Sequence, residues 1–114
     1  MRINKNLIIK YYNLAKETDD NKLYNIPSLM ETHRDLNEIE AFILMYFLNF
    51  ENCSYGDIKS DYIKRLLNQY DVEINEEDLL TIIQTMNSIN DDCRPNSAKG
   101  GFYKQKVVKV IRKY

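Results

Sequence analysis

The sequence predicts a mainly α protein with a small β element near its C-terminal end. Three observations carry this. Apolar residues recur at helical spacing in several stretches between Asn4 and Ile89. Good helix-capping residues, Asp35 and Asn75, stand just before two of those stretches. Four β-branched residues, Val107, Val108, Val110 and Ile111, then crowd together behind a glycine-containing loop.

The first helix is expected from about Asn4 to Glu17. Ile3, Leu7, Tyr11 and Leu14 recur near helical spacing, with Ile8, Tyr12 and Ala15 beside them. Thr18-Asp19-Asp20-Asn21 ends it as a polar loop. Lys22 to Met30 is ambiguous. Pro27 biases Ile26 toward an extended backbone, and it can also open a short helical turn through Leu29 and Met30. The second clear helix is expected at Asp35, which with Glu38 three residues on has the form of a capping box. Leu36, Ile39, Phe42, Ile43, Tyr46, Phe47 and Phe50 cover more than one of its faces, so this helix should form the heart of the core.

Asn52 to Gly56 reads as a break. A helix follows, starting near Ser54 or Ser60, with Ile58, Tyr62, Ile63, Leu66 and Leu67 inward and Lys59, Lys64 and Arg65 outward. Asp71 to Ile74 is a short connection. Asn75, with Asp78 three residues later, caps a helix from Glu76 to Ile89, and Asn90-Asp91-Asp92 closes it. Arg94 to Gly101 has loop chemistry. Phe102 to Tyr114 is expected as a strand through about Val110, although Val107, Val110, Ile111 and Tyr114 also sit at helical spacing.

A chain of 114 residues is one domain's worth, and with 44% hydrophobic residues it can bury a modest core without staples. Cys53 and Cys93 stand forty residues apart and His33 is the single histidine, which argues against a zinc site or a disulfide framework. Isolated thiols fit a reducing compartment, and no apolar run approaches a membrane span, so a cytoplasmic location without membrane contact is expected. Without a P-loop, a nucleophile elbow or a metal-ligand cluster, a non-enzymatic role without cofactors is expected.

Charge is sorted along the chain. All seventeen acidic residues fall between Glu17 and Asp92. The last twenty-one residues hold seven basic residues and no acid, and the first sixteen hold four basic residues and no acid. The overall net charge of −1 conceals this sorting. Basic ends point to a polyanion, because neutralising phosphates releases their counterions.

The order of elements from Asp35 to Tyr114 resembles a winged helix-turn-helix DNA-binding domain. Asp35-Leu36-Asn37-Glu38-Ile39-Glu40-Ala41-Phe42-Ile43-Leu44 matches its opening helix, Ser60 to Leu67 the first helix of the helix-turn-helix, Asn75 to Ile89 the second, and Arg94 to Tyr114 the wing. The resemblance implies one domain over residues 1–114, with an N-terminal helix at 1–18, a three-helix core at 35–90 and a basic wing at 94–114. It implies a site-specific binder of double-stranded DNA, a regulator or accessory factor in replication, partition or transfer of the plasmid or phage type. Protein partners within a nucleoprotein complex would follow, as would a homodimer formed through the N-terminal helix.

One feature departs from that pattern. The nominal recognition helix opens with Glu76, Glu77 and Asp78, which would repel phosphates. The expected DNA contacts are therefore Lys59, Lys64 and Arg65 together with Arg94, Lys99, Lys104, Lys106, Lys109 and Arg112. The competing expectation is a protein-binding adapter or inhibitor that works through the acidic middle of the chain. Of the nine tyrosines, Tyr11, Tyr12, Tyr24, Tyr46, Tyr55, Tyr62 and Tyr70 are expected mostly at the rim of the core, and the three carboxylates at the start of Glu76–Ile89 as helix-end charges.

Overall fold

The computed structural model describes residues 3–18, 22–49 and 59–93, and these form five helices. They are α1 (Lys5–Glu17), α2 (Ile26–Thr32), α3 (Glu38–Asn49), α4 (Ser60–Gln69) and α5 (Glu76–Cys93). Helix α3 is the hub. Ten of its twelve residues, Glu40 through Asn49, are buried. No single outward face exists for it, so other helices must cover it on several sides. Helices α1 and α2 pack on α3, α1 also packs on α5, and α4 packs on α5. All five contribute to one core cluster in which Phe42, Phe47, Ile8, Ile63 and Ile82 are among the fully buried side chains. Truncating Phe42 to Ala would cost about 3–5 kcal/mol through lost burial and the cavity left behind.

The winged-helix expectation is corrected here. The described residues contain no strand and no sheet, and only the mainly α part of the expected fold stands. Among the described residues, helices α1 and α2 cover α3, and α1 also lies on α5. The β-branched cluster that suggested a strand, along with the whole of 94–114, lies outside the described residues.

Four helices begin with the same device. Asn4, Asn25, Asn37 and Asn75 each accept a hydrogen bond through Oδ1 from the backbone N–H three residues on, at 2.8–2.9 Å. This satisfies one of the donors that every helix start leaves open. The cap of α3 differs from the expected Asp35–Glu38 pair. Asn37 and Glu40 form a reciprocal capping box, with the Asn37 N–H donating to Glu40 Oε1 at 2.9 Å, and Asp35 lies in the exposed turn before it. Both pairs have suitable side chains. The register that wins places Leu36 in the core and brings Glu40 within reach of a partner on α1.

Two further differences concern helix ends. Ile26 is helical rather than extended, because Asn25 takes the extended cap position (φ −133°, ψ 164°) and Pro27 falls in the first turn, where a missing N–H costs nothing. Helix α5 continues through Asn90, Asp91 and Asp92 to Cys93, past the expected stop.

Side chains far apart in sequence tie the helices together. Asn49, buried at the end of α3, accepts from the Tyr24 N–H at 2.8 Å and donates to the Tyr24 carbonyl at 2.7 Å. The pair holds the 22–25 segment as a neighbouring strand would. The Ile3 N–H donates to Asp78 Oδ1 at 3.3 Å and joins the start of α1 to the start of α5. The turn after α4 is a Schellman motif. The Val72 N–H bonds the Leu67 carbonyl at 2.9 Å, the Asp71 N–H bonds the Asn68 carbonyl at 3.1 Å, and Asp71 sits at φ 61°. Leu67 and Val72, the apolar pair that usually accompanies this motif, are both buried.

A Cβ is unfavourable at that left-handed position, where glycine is the common occupant. Asp71→Gly should raise the unfolding free energy by about 0.5–1 kcal/mol in urea denaturation, with unchanged helix content by circular dichroism. A loss of stability would show that the Asp71 side chain makes a compensating contact.

Candidate nucleic-acid interface

Three of the residues expected to contact DNA lie among the described residues, and all three are exposed on or just before α4. Ile63, Leu66 and Leu67 turn one side of α4 into the core, which leaves Lys64 and Arg65 on the exposed side, with Lys59 just before the helix. Lys59 occupies the cap position without a side-chain capping bond, unlike the asparagines that open the other four helices. Acid accompanies these basic residues. Asp61 is exposed on the same helix, and Lys64 Nζ lies 3.7 Å from Glu76 Oε1. Both partners are well exposed, so this pair adds at most about 1 kcal/mol of stability and mainly offsets charge. The other six expected contacts, Arg94, Lys99, Lys104, Lys106, Lys109 and Arg112, lie outside the described residues.

Helix α5 has no basic residue along its length. Its outer face presents Glu76, Glu77, Leu80, Gln84, Ser88 and Asp91. Thr85 is buried, and Thr81 and Asn87 are half-buried. Asp78 is structural. It is buried, bonds the Ile3 N–H, and receives Asn75 Nδ2 at 3.2 Å on its other oxygen. Asp78 is thus engaged in the interior and Glu76 at the surface. This agrees with the expected helix-end role.

The acidic middle of the chain forms a feature that local sequence patterns do not signal. Asn37, Glu38 and Ile39 from the start of α3 meet Asp71 and Glu73 from the α4–α5 connection around an open depression of about 330 Å³. Three carboxylates from segments more than thirty residues apart face it, and no short motif announces such a meeting.

The described residues hold no His, Cys, Asp and Glu grouping able to bind a metal. His33 is exposed at the C-terminal end of α2. Tyr12, Tyr24, Tyr62 and Tyr70 are half-buried, as expected for the rim of the core, whereas Tyr11 and Tyr46 are buried within it. No described helix is long and apolar enough to cross a membrane. Both flanks of α1 pack on its own chain, and the apolar residue it leaves exposed is Leu14. Scans against family models, curated proteins and solved structures each give no match.

The buried contact between Tyr11 and Glu40 is structural. The Tyr11 hydroxyl donates to Glu40 Oε2 at 3.1 Å, and burial first, then the Glu40 carboxylate, push the hydroxyl's pKa well above its usual range. Burial raises Tyr46 in the same direction, with a smaller contribution from Tyr62. Both hydroxyls titrate near 10 in the unfolded chain and higher in the folded one. Above that pH the unfolded chain releases protons that the folded chain keeps. Their stabilisation is therefore complete below about pH 10 and declines above it, by about 1.4 kcal/mol per pH unit for each tyrosine. Tyr11→Phe should cost about 1.5–3 kcal/mol at neutral pH, because it strips a donor from a buried carboxylate. It should also roughly halve the alkaline loss of stability in urea titrations at stepped pH; a variant with the parent's alkaline slope would contradict this.

Proposed function

We propose that the chain is a non-enzymatic DNA-binding protein that contacts the duplex mainly through its basic C-terminal segment, Arg94–Tyr114. Lys59, Lys64 and Arg65 serve as an auxiliary contact. The observation that supports this most is the division of charge between the helices and that segment. The described residues hold eight basic against thirteen acidic side chains, whereas Arg94–Tyr114 holds seven basic and none acidic. An acidic helical body is repelled by phosphates, so attraction has to come from the basic ends of the chain. The all-acidic and neutral outer face of α5 is consistent with this, since it offers none of the arginines or lysines that commonly read guanine edges. Such a protein marks or helps assemble a nucleoprotein complex without chemistry of its own.

A second reading is favoured by the acidic depression around Glu38, Asp71 and Glu73. Such a surface suits a basic segment of a partner protein, and the chain would then act as an adapter or inhibitor.

Salt dependence separates the two. Fluorescence anisotropy with a labelled duplex should show affinity falling steeply as salt rises, with a log–log slope of up to about −6 if all seven C-terminal basic residues reach phosphates. Lys104→Glu combined with Lys106→Glu should abolish binding while the helical circular-dichroism signal persists. Full binding by that variant would sink the proposal, and no duplex binding by the parent at low salt would favour the adapter.

A further inference from the structure

Helix α1 carries a face that the fold leaves outward and that differs in charge from the rest of the helical body. Ile8, Tyr11 and Ala15 are buried, with Leu7 and Tyr12 half-buried at the edges. The opposite side presents Lys5, Asn6, Lys10, Asn13 and Lys16, all exposed. Every one of these side chains can donate hydrogen bonds, and no acidic residue appears on the helix before Glu17. The asparagines lie roughly two turns apart along the crest, and Lys5 and Lys16 lie roughly three turns apart on one flank, with Lys10 on the other. None of the three lysines forms an ion pair among the described residues. Lys16 rests over the Tyr12 ring at 5.1 Å from its centroid, and Tyr12 in turn packs edge-on against Phe47 of α3 at 5.3 Å. That ammonium is thus held against an element anchored in the core.

The contrast with the other helices gives this face its meaning. Helices α2, α3 and α5 carry acidic residues and no basic ones, and the basic side of α4 is diluted by Asp61 and Glu76. On α1 three lysines face solvent, and the one acid on the helix is its last residue, Glu17, which is exposed on the same side. We infer that the outer face of α1 is a second, sequence-independent contact with the DNA phosphate backbone. Lys5, Lys10 and Lys16 supply the charge, and Asn6 and Asn13 supply additional donors. From Lys5 to Lys16 the helix spans about 16 Å, a length over which a duplex presents roughly ten phosphates. The face is therefore long enough to reach several phosphates without entering a groove, and phosphate contacts of this kind position a protein without reading sequence.

This rests on the DNA-binding function proposed above, and one experiment separates the two. Duplex affinity is measured by anisotropy across a salt series for the full chain and for a Lys5→Gln, Lys10→Gln, Lys16→Gln variant, with folding checked by thermal denaturation. The three lysines are exposed, so the variant should keep the parent's fold. The expected result is binding by both proteins, with the salt slope of the variant shallower by about 2–3, since each phosphate contact contributes about 0.9 to it. An unchanged slope in a folded variant overturns the inference and leaves the DNA-binding function standing. Absence of duplex binding by the parent at low salt overturns both. Loss of binding to anionic lipid vesicles in the variant, with an unchanged DNA slope, would assign the face to a membrane surface and overturn the inference as well.

Discussion

The structure depends on one constraint, which is that α3 has no side it can show to water. Ten consecutive residues from Glu40 to Asn49 are buried, including Phe42, Ile43, Leu44, Met45 and Phe47. A helix with a single apolar stripe can be stabilised by one neighbour. A helix apolar on all sides needs several, and here α1 and α2 cover it directly. The amphipathic helices then have their outward faces assigned by default. For α1 that outward face is the lysine and asparagine face, and for α4 it is the side bearing Lys64 and Arg65. The surface chemistry of the protein is thus a consequence of which faces the central helix claims.

Burying α3 on every side also buries polar groups, and Glu40, Asn49 and Asp78 each tie together segments far apart in sequence. Glu40 is inside the core, and it is tolerated there because the Asn37 N–H and the Tyr11 hydroxyl both donate to it. Asn49 at the other end bonds both backbone groups of Tyr24. Asp78 accepts from Ile3. An unpartnered carboxylate or amide in these positions would cost several kcal/mol, so these bonds act less as added stability than as a condition on how the helices may be arranged.

Much of the helical layout was legible in the sequence. The ends of α1, the Asn75 cap of α5, the Asp71–Ile74 connection and the centrality of α3 all follow from short-range patterns. The failures have identifiable causes. At the start of α3 two overlapping capping pairs competed, and the choice of Asn37 and Glu40 over Asp35 and Glu38 fits with Tyr11, twenty-nine residues away from Glu40. The expected winged-helix architecture was built on the order of elements and on β-branched residues at 107–111, while the packing of α1 and α2 onto the core had no expression in that order. Of the expected DNA contacts, sequence spacing correctly put Lys64 and Arg65 on the outer side of α4, but it could not show that Glu76, twelve residues on from Lys64, would come within 3.7 Å of it.

The sequence by itself determined which segments become helices, where asparagine caps can act, and how charge is divided between the chain's ends and its middle. These are properties of neighbouring residues, set by backbone propensity, by hydrogen bonds over three or four positions and by composition. Only the tertiary structure decided that Asp78 is a structural group, that Glu40 is buried against Tyr11, and that Glu38, Asp71 and Glu73 border one depression. Those outcomes depend on which faces meet once α3 has been covered. That is a packing problem solved by the whole chain at once, and no window of sequence contains its answer.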